Sequence, residues 1–148
     1  MNWHTKSFSE LNTDELYRLL QLRAEVFVVE QNCPYQDIDD KDRKAIHMWG
    51  SNAENAILVY CRLLPPGVSY AEPSIGRVVT VPSIRNSGAG RLLMEKAIDY
   101  LLNVQHYSTI RISAQQYLEK FYTSLGFQTI GEAYLEDNIP HLEMLLEK

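Results

Sequence analysis

Apolar residues recur along this chain in two rhythms, one of strands and one of helices. Trp3–Phe8 alternates loosely and predicts a first strand. Asn12 or Thr13 can then cap a helix, and Glu15, three residues past Asn12, matches a capping box. Leu16, Leu19, Leu20, Val26 and Phe27 follow at helical spacing and predict a core-facing stripe. Arg23 lies on that stripe one heptad after Leu16, and Glu30 follows another heptad on. Two readings of these charges stand: a structural Arg–carboxylate pair at the helix edge, or a Glu30 that borders a cleft.

Gln31 to Ala45 has no periodicity and reads as an irregular loop carrying Pro34, Asp37, Asp39, Asp40 and Asp42. Strands are expected at Ile46–Trp49 and Ala56–Leu64, joined by a polar turn over Gly50–Asn55. Pro65, Pro66, Gly67 and Pro73 delimit another loop, and Ser74–Val81 is a branched-residue strand ending at Pro82. Leu92, Leu93, Ala97, Leu101 and Val104 mark one face of a long helix. Thr109–Ser113 predicts a short strand, and a helix near Leu118–Leu125 stops at Gly126. Phe127–Glu136 and His141–Leu146 are final strands flanking the turn Asp137-Asn138-Ile139-Pro140. The order is β-α, a loop, three strands, then α-β-α-β-β. It predicts an α/β fold with one mixed sheet, as a single domain over residues 1–148.

Composition agrees with one ordinary domain: 148 residues, 45% hydrophobic and 22% charged. The net charge of −5 argues weakly against nucleic acid as a partner. No apolar run is long enough to span a membrane, and the first residues lack the apolar core of a secretory signal. A cytoplasmic protein is expected. Cys33 and Cys61 are too few for a disulfide framework and read as free thiols. Asp37, Asp39 and Asp42 suggest a calcium loop, but its register requires glycine at 42 and glutamate at 48, where Asp42 and Met48 stand. No metal is expected. The aspartates read either as a solvated acidic loop or as an anionic rim for a cationic partner.

The segment Arg85-Asn86-Ser87-Gly88-Ala89-Gly90 lies between a strand and a helix. Glycines there let successive N–H groups point into one space, and the helix start adds its own unpaired N–H groups. Such a place binds phosphate. A Walker loop is excluded for want of a Gly-Lys-Ser/Thr ending, and Leu93 breaks a dinucleotide fingerprint. The bland alternative is a tight connection with no ligand.

Arg-x-x-Gly-x-Gly after a branched strand resembles the acetyl-CoA pyrophosphate loop of the GNAT superfamily of N-acetyltransferases. Gln116-Tyr117-Leu118-Glu119-Lys120-Phe121-Tyr122-Thr123-Ser124-Leu125-Gly126-Phe127 resembles that superfamily's second signature, at the fitting distance. It departs from it in having Gln115-Gln116 where an Asn often precedes the aromatic helix. The run Leu22 to Tyr35 followed by Asp37, Asp39 and Asp42 is similar to the ElaA-type branch, as are Gly76-Arg77-Val78 and Glu136 to His141.

The resemblance implies direct acyl transfer from acetyl-CoA to an amine in a ternary complex. It implies a CoA cradle of Arg85, Gly88, Gly90 and Arg91, with Ser87 and Ala89 supplying N–H groups. A main-chain N–H at about Val79 would polarise the thioester, and pantetheine would lie along Val79–Val81. Tyr122 matches the general-acid tyrosine. For the base, His141 ranks first for its intrinsic pKa, Glu136 second and His47 third. A cationic amine acceptor fits the acidic clusters. Nucleic acid and membrane are not expected partners, and a homodimer is left open. Two alternatives remain. Leu22-Arg23-Ala24-Glu25-Val26-Phe27-Val28-Val29-Glu30 is also similar to acyl-homoserine-lactone synthases. A non-catalytic CoA-binding module is the other.

Overall fold

A computed structural model of the chain describes residues 1–148. The elements are β1 (Asn2–Ser7), α1 (Thr13–Arg23), β2 (Ile46–Ser51), β3 (Ile57–Leu64), β4 (Ser74–Thr80), α2 (Ala89–Asp99), β5 (Thr109–Gln115), α3 (Glu119–Ser124), β6 (Gln128–Glu136) and β7 (Ile139–Glu147). One seven-stranded sheet runs in the order β1-β2-β3-β4-β5-β7-β6. Neighbours are antiparallel except β4 and β5, which are parallel and register at a single pair, Ser74 with Arg111. The mixed α/β architecture matches the expected order of elements. Beyond that single pair the two halves of the sheet diverge.

Alternation along β3 assigns the helices to opposite faces. Val59, Cys61 and Leu63 join the main core with Leu93, Met94, Ala97 and Leu101 of α2 and its extension. Tyr60, between them, turns to the other face and packs with Leu19 and Val26 beneath α1. The Asn12 cap is realised, its Oδ1 accepting from Glu15 N–H while Glu15 returns a bond to the Asn12 N–H. Both long helices then widen into π-type winding, at Ala24–Glu30 and Tyr100–Val104. There the N–H of Gln31 reaches Val26 O and that of Cys33 reaches Val28 O, five residues back. The final hairpin turns on two residues, Asp137 and Asn138, both at positive φ, so β7 begins at Ile139 rather than at His141.

The aspartate loop is neither a solvated loop nor an anionic rim. Asp37 and Asp42 are buried, and Arg23 is wholly so. Arg23 donates from Nε to Asp37 at 3.0 Å and from Nη1 to Asp42 at 2.6 Å. Arg62 on β3 bridges Asp39 at 2.6 Å and Asp42 at 3.1 Å. Arg77 on β4 reaches Asp37 at 2.7 Å and Asp39 at 3.3 Å. Three guanidiniums thus meet three carboxylates, and only Asp40, exposed and paired with Arg43, stands outside. Burying a charge costs several kcal/mol unless it is paired, so each of these residues depends on its partners for its place in the fold. Arg23 therefore takes loop aspartates as partners and not Glu30.

His47 belongs to the same knot, its Nε2 on Asp42 O at 2.9 Å and its Nδ1 on the Tyr60 hydroxyl at 2.7 Å. Burial pushes its pKa down. With both ring nitrogens engaged in the core, it withdraws as a base candidate. No helix is long and apolar enough to cross a membrane.

The knot sets an acid limit on stability. Burial opposes ionisation of Asp39, but Arg62 and Arg77 overcome it and hold its carboxyl down to about 2. Asp42 is likewise lowered, by Arg23 and Arg62 against burial. A carboxyl depressed in the folded state stabilises above its unfolded value of about 4 and loses that contribution as pH falls through the folded value. Acid unfolding followed by circular dichroism should therefore steepen between about pH 4 and pH 2, less so in Asp39→Asn. Arg23→Met, which leaves two guanidiniums to hold three carboxylates, should lower the unfolding free energy by about 3–5 kcal/mol in urea titration. An unchanged midpoint would contradict the assignment.

Candidate active site

Where β4 and β5 part, a cleft of about 1100 Å³ opens between the halves of the sheet. Its walls include both strand edges, the glycine loop, Tyr122, and the β6–β7 hairpin with Glu136 and His141. Glu30 also borders it, in keeping with one of its two sequence readings.

The β4 edge supplies backbone donors. Val81 N–H is taken by Leu58 O at 2.9 Å on β3, and Tyr60 pairs with Val79. Alternation along the strand turns the Val79 N–H to β3 as well, and the Val78 and Thr80 N–H groups to the open side. Val79 lines the cleft but aims its amide away from it, whereas Val81 does not line the cleft. The reason is a bulge: Tyr60 faces Val79 and Arg62 faces Gly76, so Cys61 alone opposes both Arg77 and Val78. Arg77 sits there at φ +50°.

The glycine loop runs into α2. Gly88 caps the helix at φ +90°, in the left-handed region, and a Cβ on it would meet only open space. A Cβ on Gly90 would lie 3.2 Å from Thr80 Oγ1, so the loop approaches the β4 edge closely. Ser87 and Ala89 do not line the cleft; the N–H of Ser87 bonds Ile84 O and that of Ala89 bonds Ser87 Oγ. The N–H groups of Gly88, Gly90 and Arg91 meet no acceptor. These, at the positive end of the α2 dipole, are the free donors for an anion.

Arg85 is already engaged by a carboxylate. Its fork holds both oxygens of Glu30 at 2.6 and 2.7 Å, and its Nε donates to Thr80 O at 3.0 Å. The Arg85 hydrogen bond lowers the Glu30 carboxyl in turn. Arg91 lines the cleft and ties the loop to the end of α3, through Ser124 Oγ at 2.8 Å, and to Glu95 at 3.2 Å.

Tyr122 combines a core position with a place in the cleft wall. It is 7% exposed and meets Phe121 and Phe127 edge to face, with centroids 5.1 and 6.1 Å away. Burial pushes its phenol pKa up, so the proton is retained at neutral pH and available for donation. The hairpin brings His141 beside Glu136. His141 Nδ1 donates to Ile139 O at 2.7 Å, and Nε2 lies 3.2 Å from Glu136 Oε2. The carbonyl fixes the hydrogen on Nδ1 and turns Nε2 toward the carboxylate.

Several cleft residues were given no site role by the sequence. Tyr35, Arg62, Tyr70 and Arg77 all line it, and the knot and the bulge bring in Tyr35, Arg62 and Arg77. The Cys33 thiol also lines it and lies 3.6 Å from Asp137 O across the mouth.

Comparison with known proteins places this fold and cleft. Residues 11–148 match the family model described as an acetyltransferase (GNAT) domain. The chain is 38% identical to protein ElaA of Escherichia coli, covering 99% of this chain and 97% of that one, and the crystal structure of E. coli ElaA superposes with a TM-score of 0.91. An acyl-CoA N-acyltransferase from Pseudomonas aeruginosa is 40% identical, with a TM-score of 0.92 and 99% of each chain covered. A CoA-dependent acyl-homoserine lactone synthase, BjaI, solved with SAM and isopentyl-CoA, shares the fold at 16% identity, with a TM-score of 0.80 over 98% of this chain and 82% of that one. Sequence motifs, sheet topology and these likenesses agree: the chain belongs to the GNAT acetyltransferase family, in its ElaA-type branch.

Proposed function

We propose that this protein transfers an acetyl group from acetyl-CoA to an amine by direct attack in a ternary complex. The observation that carries this reading is a single cleft in which unpaired loop amides, the open β4 edge, the Tyr122 phenol and the His141–Glu136 pair converge.

The amides of Gly88, Gly90 and Arg91 hold the pyrophosphate, and Arg85, on exchanging Glu30 for phosphate, adds a charge-assisted contact. Pantetheine lies along β4 like an added strand, using the outward-facing groups of Val78 and Thr80. The Val78 N–H points at the thioester carbonyl oxygen, a donor worth roughly 3–4 kcal/mol as negative charge develops there. His141 Nε2 removes the proton of the attacking amine, and Glu136 stabilises the imidazolium. The new N–C bond forms as the C–S bond breaks, and Tyr122 gives its proton to the departing thiolate. Glu136 and Asp137 at the mouth favour an acceptor that arrives as a cation.

The test is CoA-thiol release with purified protein, acetyl-CoA and a broad amine panel. Release with at least one amine is expected; none across the panel would leave only a CoA-binding module. Tyr122→Phe should lower kcat about 100-fold or more, with acetyl-CoA affinity by calorimetry nearly unchanged. Undiminished turnover would remove its acid role. Gly88→Ala forces a side chain into the left-handed region, at a cost of about 1–2 kcal/mol. It should weaken acetyl-CoA binding roughly tenfold, and equal affinity would show that the pyrophosphate does not rest on this turn.

A further inference from the structure

Eight residues other than glycine hold a positive φ in this chain: Asn32, Asp40, Asn55, Arg77, Asn86, His106, Asp137 and Asn138. All but Arg77 are Asn, Asp or His, the types that tolerate the left-handed region. Arg77 is also the one that lies inside a strand, at the bulge of β4 on the cleft wall. A glycine stands next door at position 76, where the backbone does not demand one and where a Cβ would meet nothing within 4 Å. Backbone shape alone would be met by glycine at 77. An arginine held in this conformation therefore marks a requirement for its side chain.

That side chain is held on several sides. Its Nε donates to Asp37 Oδ1 at 2.7 Å, and its Nη2 to Asp37 O at 3.1 Å and to Asp39 Oδ2 at 3.3 Å. The guanidinium also lies over the Tyr35 ring, 5.7 Å from its centroid. The partners are themselves fixed, Asp37 by Arg23 at the end of α1 and Asp39 by Arg62 on β3. The clamp thus joins the bulge to two rigid elements.

The dihedrals of Arg77 orient the peptide that joins it to Val78, and the N–H of that peptide is the Val78 amide facing the split. We propose that Arg77 is a positioning residue: its guanidinium, clamped by Asp37, Asp39 and Tyr35, holds the left-handed turn of the β4 bulge and thereby aims the Val78 N–H into the cleft. The proposal deepens the acetyl-transfer reading and rests on it for the role of that N–H. Arg77 touches no reacting atom. It acts through the backbone.

Two substitutions separate this role from a merely stabilising one. Arg77→Ala removes the clamp and disfavours the left-handed turn, while Arg77→Asn removes the clamp but keeps a residue that tolerates it. For the folded protein, verified by thermal melting, Arg77→Ala should lower kcat at least tenfold, with the KM for acetyl-CoA within about threefold. Arg77→Asn should recover at least threefold of the lost kcat. In amide NMR spectra, adding acetyl-CoA should move the Val78 cross-peak strongly in the wild type, weakly in Arg77→Ala and to an intermediate extent in Arg77→Asn. Turnover in Arg77→Ala within twofold of wild type, or equal loss of kcat in both variants, would overturn the proposal even if both melt earlier. A Val78 response identical in all three proteins would overturn it as well. Should the wild type release no CoA with any amine, acetyl transfer itself fails, and the Val78 response alone decides whether Arg77 sets the amide.

Discussion

Three arginines and three aspartates, drawn from the end of α1, from β3, from β4 and from the loop between α1 and β2, neutralise one another, most of them buried and Arg77 and Asp39 half-buried. None of these side chains could be buried alone, because an unpaired interior charge is too costly to hold. Their pairing obliges the loop to fold back over the sheet, and so builds one side of the cleft. The same knot reaches the β4 bulge through Arg77 and occupies His47 and Tyr60. Its position explains why an acidic sequence stretch contributes so little open negative charge: most of that charge is spent internally.

The second organising fact is the meagre pairing of β4 with β5. A parallel pair that registers at one position cannot close the sheet, so each strand presents unpaired backbone groups to the space between. Elsewhere an open strand edge invites aggregation, but here the two edges face each other across a cleft. A ligand with amide groups of its own can satisfy them. The α2 amides and the His141–Glu136 pair line the same cleft.

Much of this was legible in the sequence. The order of strands and helices, the Asn12 cap, the glycine loop and the aromatic helix ending at Gly126 all depend on local spacing, which a linear chain displays. The aspartate knot does not. Arg23, Arg62 and Arg77 lie far from Asp37, Asp39 and Asp42 along the chain, and nothing in the spacing of charges pairs them. The bulge was hidden for another reason. One extra residue opposite Cys61 shifts the parity of β4, moving the outward amide from Val79 to Val78. Local detail in the glycine loop was hidden too: the N–H groups of Ser87 and Ala89 are satisfied within the turn, whereas those of Gly88, Gly90 and Arg91 meet no acceptor.

The net charge of −5 reads differently once the pairs are drawn. Glu30 balances Arg85 beside the glycine loop, and the knot balances itself. Glu136 and Asp137 remain at the cleft. The central claim is that the split between β4 and β5 holds acetyl-CoA with its thioester under the Val78 amide. A crystal structure of the acetyl-CoA complex tests it most directly. Pyrophosphate oxygens are expected on the amides of Gly88, Gly90 and Arg91, and the thioester oxygen about 3 Å from Val78 N. A thioester lying outside the split, or a Val78 N–H turned away from it, would contradict the account.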